Sequence, residues 1–190
     1  HRRRGAQGGP VGVDADPDGV LDAEEITSTD YVCREWTILE GSYVVDEQLD
    51  VEAFRNVIAV MGDLTIRGVE VNDLSAMQYL SVVSGDLKVE GTSLTSLDGL
   101  DSLGAVNGHV SLFDNSALSS LAGLGMLGSV ARNLDLRNND ALPNLDGLNG
   151  PIVVGWGVHI SDHAMLTDID GLGSLESVGT FIAVFDNPAL

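Results

Sequence analysis

Near the start of the chain, the twelve residues Asp14-Ala15-Asp16-Pro17-Asp18-Gly19-Val20-Leu21-Asp22-Ala23-Glu24-Glu25 carry the sharpest chemical pattern in the sequence. Carboxylates stand at the first, third, fifth, ninth and twelfth places, with glycine at the sixth and an apolar residue at the eighth. A hard divalent cation such as calcium takes about six to eight oxygen ligands at flexible geometry. Asp14, Asp16 and Asp18 would wrap one side of the ion, and Gly19 would allow the sharp turn. The carbonyl of Val20 would add a ligand, Asp22 would act directly or through a water, and Glu25 would close the shell with both oxygens. Leu21 would point inward and anchor the loop. Calcium is the expected cofactor, and the competing reading is an acidic turn that is simply solvated.

The spacing is that of an EF-hand loop, but the flanks depart from one. Gly8-Gly9-Pro10-Val11-Gly12 blocks an entering helix, and only Ala23 to Thr27 could form an exiting one. A structural calcium clip fits better than a paired, opening sensor. From Gly8 to Tyr31-Val32-Cys33 the sequence resembles a small module of secreted bacterial proteins, in which such a loop leads into a Tyr-Val-Cys ending and a second cysteine lies upstream. Here only His1-Arg2-Arg3-Arg4 stands in that direction. Cys33 is therefore either free or paired with a cysteine outside this sequence.

Other residues that could do chemistry give weaker patterns. His159 and His163, with Asp162 between them, have a spacing that zinc could use. His159, however, follows Val158 on a strand and should face away from the core, and His163 falls in a structural column described below, so no metal site is expected there. No G-x-S-x-G, phosphate-cradling loop or H-E-x-x-H occurs. The outward strand positions Thr65, Lys88, Ser111, Asp135, His159 and Ala183 are mixed and poor in paired acids. That disfavours the carboxylate chemistry of a β-helix carbohydrate-active enzyme, and a non-catalytic protein is expected.

The elements that must carry these residues follow from a repeat. The pairs Leu64/Ile66, Leu87/Val89, Val110/Leu112, Leu134/Leu136, Val158/Ile160 and Ile182/Val184 step by 23 or 24 residues. Each has the period-two pattern of a strand with one buried face. A polar corner follows each pair, then leucines at spacing three, as in Leu118, Leu121, Leu124, Leu127 and Val130, which suits a tight 3₁₀-like coil. A second short apolar step ends the unit. Gly99, Gly123, Gly147 and Gly171 recur between leucines and call for positive φ or close backbone approach. The column Asn115, Asn139, His163 and Asn187 predicts a side-chain ladder that pairs backbone groups at the corner. One unit can bury its apolar face only against copies of itself, so the fold class is mainly β, a solenoid of 23–24-residue leucine-rich coils. The segment Asn149-Gly150-Pro151-Ile152-Val153-Val154-Gly155-Trp156-Gly157 is the least regular, and a bulge is expected there, with Trp156 more readily buried than exposed.

The strings Gly62-Asp63-Leu64-Thr65-Ile66, Gly85-Asp86-Leu87-Lys88-Val89-Glu90-Gly91, Leu94-Thr95-Ser96-Leu97-Asp98-Gly99-Leu100 and Leu103-Gly104-Ala105-Val106 resemble the receptor L-domain. The resemblance implies a right-handed β-helix akin to leucine-rich repeats. It extends upstream, where Gly41-Ser42-Tyr43-Val44-Val45, then Asp46 as N-cap, then Leu49, Val51, Phe54 and Val57 resemble the first strand and the N-terminal capping helix of such domains. Leucine-rich repeats proper place leucine two residues after the asparagine, whereas here the separation is three, as from Asn115 to Leu118. Two domains follow: 1–35, a calcium-loop segment incomplete at its N-terminus, and 40–190, a repeat solenoid truncated at its C-terminus.

Composition narrows the partners. With 29 acidic and 9 basic residues the formal charge is −20, which repels nucleic acid and anionic membrane surfaces. No stretch has the roughly 20 apolar residues of a membrane span. The loop and the resemblances together imply an extracellular or cell-surface location in a bacterial envelope. The expected role is a binding or adhesion scaffold that takes a protein or carbohydrate ligand on an exposed solenoid face, with a ligand-free spacer or stalk as the alternative. Phe113 and Phe185, in one column after the strands, and Trp156 are the candidate contacts.

Overall fold

Alternation of apolar and polar residues produces fourteen short strands among residues 35–190, the part of the chain that the computed structural model describes. The calcium-type loop and Cys33 lie outside the described residues. β1 (Thr37–Glu40), β2 (Tyr43–Val45), the helix α1 (Gln48–Glu52), β3 (Val57–Met61) and β4 (Leu64–Arg67) come first. β5 (Val82–Val83), β6 (Leu87–Glu90), β7 (Ala105–Val106), β8 (Val110–Phe113), β9 (Ser129–Val130) and β10 (Leu134–Arg137) follow. β11 (Ile152–Val154), β12 (Gly157–Ser161), β13 (Leu175–Val178) and β14 (Phe181–Phe185) complete the series.

Odd-numbered strands form one seven-stranded sheet and even-numbered strands another. Every pairing is parallel. The chain thus passes through both sheets in each turn, which makes the protein a mainly β solenoid of about six turns. The even sheet holds the expected strand pairs in one register: Leu64, Leu87, Val110, Leu134, Val158 and Ile182 are successive partners. The odd sheet is the second apolar step, with Val83, Val106 and Val130 stacked inward. In the irregular unit the register of β11 against β13 slips between Ile152 and Val153.

Between the sheets, the leucines at spacing three are bonded to one another. The N–H of Leu124 donates to the carbonyl of Leu121 at 3.1 Å, and that of Leu127 to Leu124 at 3.0 Å, so each tight turn ends on the next inward leucine. Leu118, Leu121, Leu124, Leu127 and Val130 are all fully buried. The glycine column has both expected properties in Gly99, Gly123 and Gly147, whose φ angles are +108°, +102° and +115°. A Cβ at Gly123 would lie 1.9 Å from the Leu97 carbonyl oxygen of the preceding coil. Gly171 has the close approach alone, with a Cβ position 2.2 Å from the oxygen of Leu145.

The start of the solenoid differs from expectation in two respects. β1 already belongs to the odd sheet, so the repeat architecture begins before residue 40. The helix N-cap is Glu47 rather than Asp46, with the Asp50 carboxylate accepting the N–H groups of both, each at 3.3 Å. Leu49 is 78% exposed, whereas Val51, Phe54 and Val57 are buried. Leu49 and Val51 stand two residues apart, about 200° around an α-helix, so the face that buries Val51 turns Leu49 to solvent. At the far end Ile182 is 53% exposed, because β14 is an edge strand with a neighbour on one side only. No described helix is long and apolar enough to cross a membrane.

Candidate functional site

The corner after each even strand is set by one residue with positive φ: Asp114 (+59°), Asn138 (+50°), Asp162 (+62°) and Asp186 (+55°). Asp and Asn tolerate this region best among side-chain-bearing residues, and Gly91 (+59°) supplies it one coil earlier. The turn aims the following residue inward, which places Asn115, Asn139 and His163 fully inside and Asn187 half-buried. Each backbone N–H of the column then donates to the side chain of the next coil. Asn115 donates to Asn139 Oδ1 at 3.1 Å, Asn139 to His163 Nδ1 at 3.1 Å, and His163 to Asn187 Oδ1 at 3.0 Å. The amide nitrogens of Asn115, Asn139 and Asn187 donate back to the carbonyls of Val89, Leu112 and Ile160. Thr92 closes the ladder, its N–H and hydroxyl both donating to Asn115 Oδ1.

A second ladder, unforeseen from the sequence, runs along the corner before the even strands in the opposite sense. There each side chain accepts the backbone N–H of the following coil: Ser42 from Asp63, Asp63 from Asp86, Asp86 from His109, His109 from Asn133, and Asn133 from Gly157. The distances are 2.9, 2.8, 2.8, 3.3 and 3.0 Å. This explains the recurrent Gly-Asp pair, because a Cβ at Gly85 would lie 2.1 Å from Asp63 Oδ1. The members share only an acceptor atom of the right reach, so no residue-type column announces them.

Burial of His163 lowers its pKa below the ordinary 6.5, partly offset by its backbone contacts with Asn139 and Leu136 and by the nearby Asp140 and Asp162 carboxylates. Its Nδ1 accepts a hydrogen bond, so the proton sits on Nε2. That nitrogen is buried without a partner at bonding geometry, although the Leu136 carbonyl occupies the place that Leu112 and Ile160 take for the asparagines.

His159 faces the other way, on the outer surface of the even sheet, so it and His163 do not converge. Among the described residues, no three His, Cys, Asp or Glu side chains are grouped to hold a metal. Outward, the partners Lys88, Ser111, Asp135 and His159 lie beside a second column of Glu90, Phe113, Arg137, Ser161 and Phe185. Arg137 forks onto Asp135 at 2.6 and 2.5 Å and reaches His159 Nδ1 at 2.8 Å. The Lys88 ammonium pairs with Glu90 at 2.6 Å and lies 4.7 Å from the Phe113 ring centre. The ring of Phe185 packs 4.8 Å from that of His159. A hollow of about 210 Å³ opens between Phe113, Asp114, Asp135, Arg137 and Asn138.

Of the three candidate contacts, Phe113 and Phe185 share the outward column three coils apart, about 14 Å at the usual strand spacing. Trp156 lies at the opposite strand ends, in the corner before β12. Contrary to the expected burial it is 51% exposed. The irregular segment around it carries no inward position at that place, so the high average burial of tryptophan does not apply. Its ring meets His109 edge-on at 5.9 Å and has the Arg132 guanidinium 5.4 Å from its centre.

A larger open groove of about 580 Å³ runs over the leucine turns, lined by Asp101, Ser120, Gly123, Met126, Asp146 and Asn149 among others. One Asp101 oxygen there accepts the N–H of Gly99 and holds a turn.

Residues 7–33 match the model of a domain of unknown function, DUF7151. No curated protein and no solved structure matches the chain.

Proposed function

We propose that this chain is a non-catalytic binding or adhesion scaffold of the extracellular or cell-surface kind, related in design to the receptor L-domain and carrying a structural calcium clip at Asp14 to Glu25. The observation that carries the reading is the outward column of the even sheet, where Phe113 and Phe185 flank Arg137 beside a small hollow. Buried polar atoms and leucines fix the backbone of every coil, so outward side chains can vary without disturbing the core. Aromatic and arginine side chains dominate binding energy in such surfaces. A protein or a carbohydrate is the partner class, and the acidic composition argues against nucleic acid.

The test compares wild type with a Phe113→Ala/Arg137→Ala/Phe185→Ala variant on an immobilised glycan array and a panel of extracellular proteins. A ligand held by the wild type and lost at least tenfold by the variant, at unchanged melting temperature, supports the reading. Absence of any binding supports the spacer alternative.

A further inference from the structure

The corner column that is glycine at Gly62, Gly85 and Gly108 changes character in the next coils, becoming Arg132 and then Trp156. The register continues through backbone hydrogen bonds, with the Arg132 N–H donating to Gly108 and the Trp156 N–H to Arg132, both at 3.1 Å. Side chains enter the column where the second ladder changes from Asp63 and Asp86 to His109 and Asn133.

Arg132 is unusual in a chain with 29 acidic residues. Among the described residues Arg55, Arg67, Lys88 and Arg137 each pair with a carboxylate. Arg132 is the one described lysine or arginine that does not, and its guanidinium lies against an exposed indole instead. The indole in turn is steadied from its edge by His109. The guanidinium, a fork of N–H donors that matches a carboxylate, lies over this flat exposed ring of sugar size, its carbon 5.4 Å from the ring centre. Polar groups meet this residue on several sides, with Arg132 over the ring, His109 at right angles to it and the Thr180 hydroxyl donating to the Trp156 carbonyl at 2.7 Å.

Resting on the reading of the chain as a binding scaffold, we propose that Trp156 and Arg132 form a site for a glycan bearing a single carboxylated sugar. The C–H face of the pyranose lies on the part of the indole face that the offset guanidinium leaves open, and its carboxylate takes the Arg132 fork. A polyuronate fits poorly, since the formal charge of −20 repels a long anion, whereas one terminal carboxylate within about a Debye length of Arg132 feels mainly that cation.

The experiment is calorimetric titration of the full chain with a xylotriose carrying one glucuronate branch and with its methyl ester, which keeps the ring and removes the charge. Wild type should bind the acid at least tenfold more tightly than the ester. Trp156→Ala and Arg132→Gln should each weaken the acid at least tenfold, Arg132→Gln should abolish the preference over the ester, and Arg55→Gln, at a cation already paired with Glu52, should change nothing. Arg132→Gln leaves the exposed corner free to fold, and melting curves check both variants. No heat with the acid up to about 5 mM, equal binding of acid and ester, or binding unmoved by both variants would overturn the site. Loss through Phe113→Ala and Arg137→Ala instead would overturn it in favour of the sheet face and leave the scaffold reading standing. The glycan and protein arrays decide that broader reading independently.

Discussion

Nδ1 of His163 accepts the backbone N–H of Asn139 at 3.1 Å, doing with a ring nitrogen what Asn139 Oδ1 does for Asn115 one coil earlier. The substitution preserves the ladder only while the ring is neutral, because a protonated Nδ1 would set one N–H against another. The lowered pKa from burial expresses the same preference. The unfolded chain takes up this proton near pH 6.5, while the folded chain takes it up only at a lower pH. The contribution to stability is therefore complete above about pH 6.5 and drains away as the pH falls from there through the lowered folded value. Urea unfolding of wild type between pH 7 and pH 5 should show this loss. His163→Asn should remove that part of the slope, and at pH 7 it should gain about 1 kcal/mol by giving the Leu136 carbonyl a donor. An unchanged slope in His163→Asn would refute the account.

The glycine column predicts a steep contrast between neighbours. Gly123 has φ +102° and a Cβ position 1.9 Å from the Leu97 oxygen, whereas a Cβ at Gly125 meets nothing nearer than the Gly147 oxygen at 3.9 Å. Backbone atoms cannot retreat without parting two coils. Gly123→Ala should cost about 3 kcal/mol or more, and Gly125→Ala less than about 1 kcal/mol. Comparable midpoints in denaturant for the two variants would contradict the packing described.

Much of this architecture was legible because it obeys simple periods. Spacing two in Val110 and Leu112, and spacing three in Leu118 through Leu127, report the buried faces directly, and both sets are fully inside. Asn115, Asn139 and His163 were legible as a ladder because two residues share one amide and the third fills its place. What escaped depends on relations across coils. Asp63, Asp86, His109 and Asn133 differ in type and charge and do one job, which only the stacking reveals. Trp156 is exposed against expectation because average burial says nothing about a corner where the repeat breaks. The solitary Arg132 becomes visible only once the pairing of every other described lysine and arginine is known.

The second ladder makes its own prediction. Asp86 Oδ1 accepts the His109 N–H at 2.8 Å, so the oxygen matters more than the charge. Asp86→Ala strands a half-buried donor and should cost about 1–3 kcal/mol. Asp86→Asn keeps an acceptor at the same reach and should cost less than half as much. Equal losses in urea titrations of the two variants would mean that charge, not the ladder bond, is what counts at this corner.

Calcium gives the last prediction. The pattern from Asp14 to Glu25 supplies oxygen at every place a calcium loop requires, and no other twelve-residue stretch of the chain does. Calorimetry should find one saturable site in wild type, and none in an Asp14→Ala/Glu25→Ala variant. Binding to the folded form alone stabilises by about 2.7 kcal/mol when free calcium is a hundredfold above its dissociation constant. Chelator should therefore lower the melting of the N-terminal segment and leave untouched the transition of the solenoid, whose described residues bring no three metal-ligating side chains together. Identical melts with calcium and with chelator, together with no heat of binding, would reduce the loop to a solvated acidic linker. A chelator effect on the solenoid transition itself would instead mean that the ion stabilises the stacked coils, a role that none of the hydrogen bonds among the described residues requires.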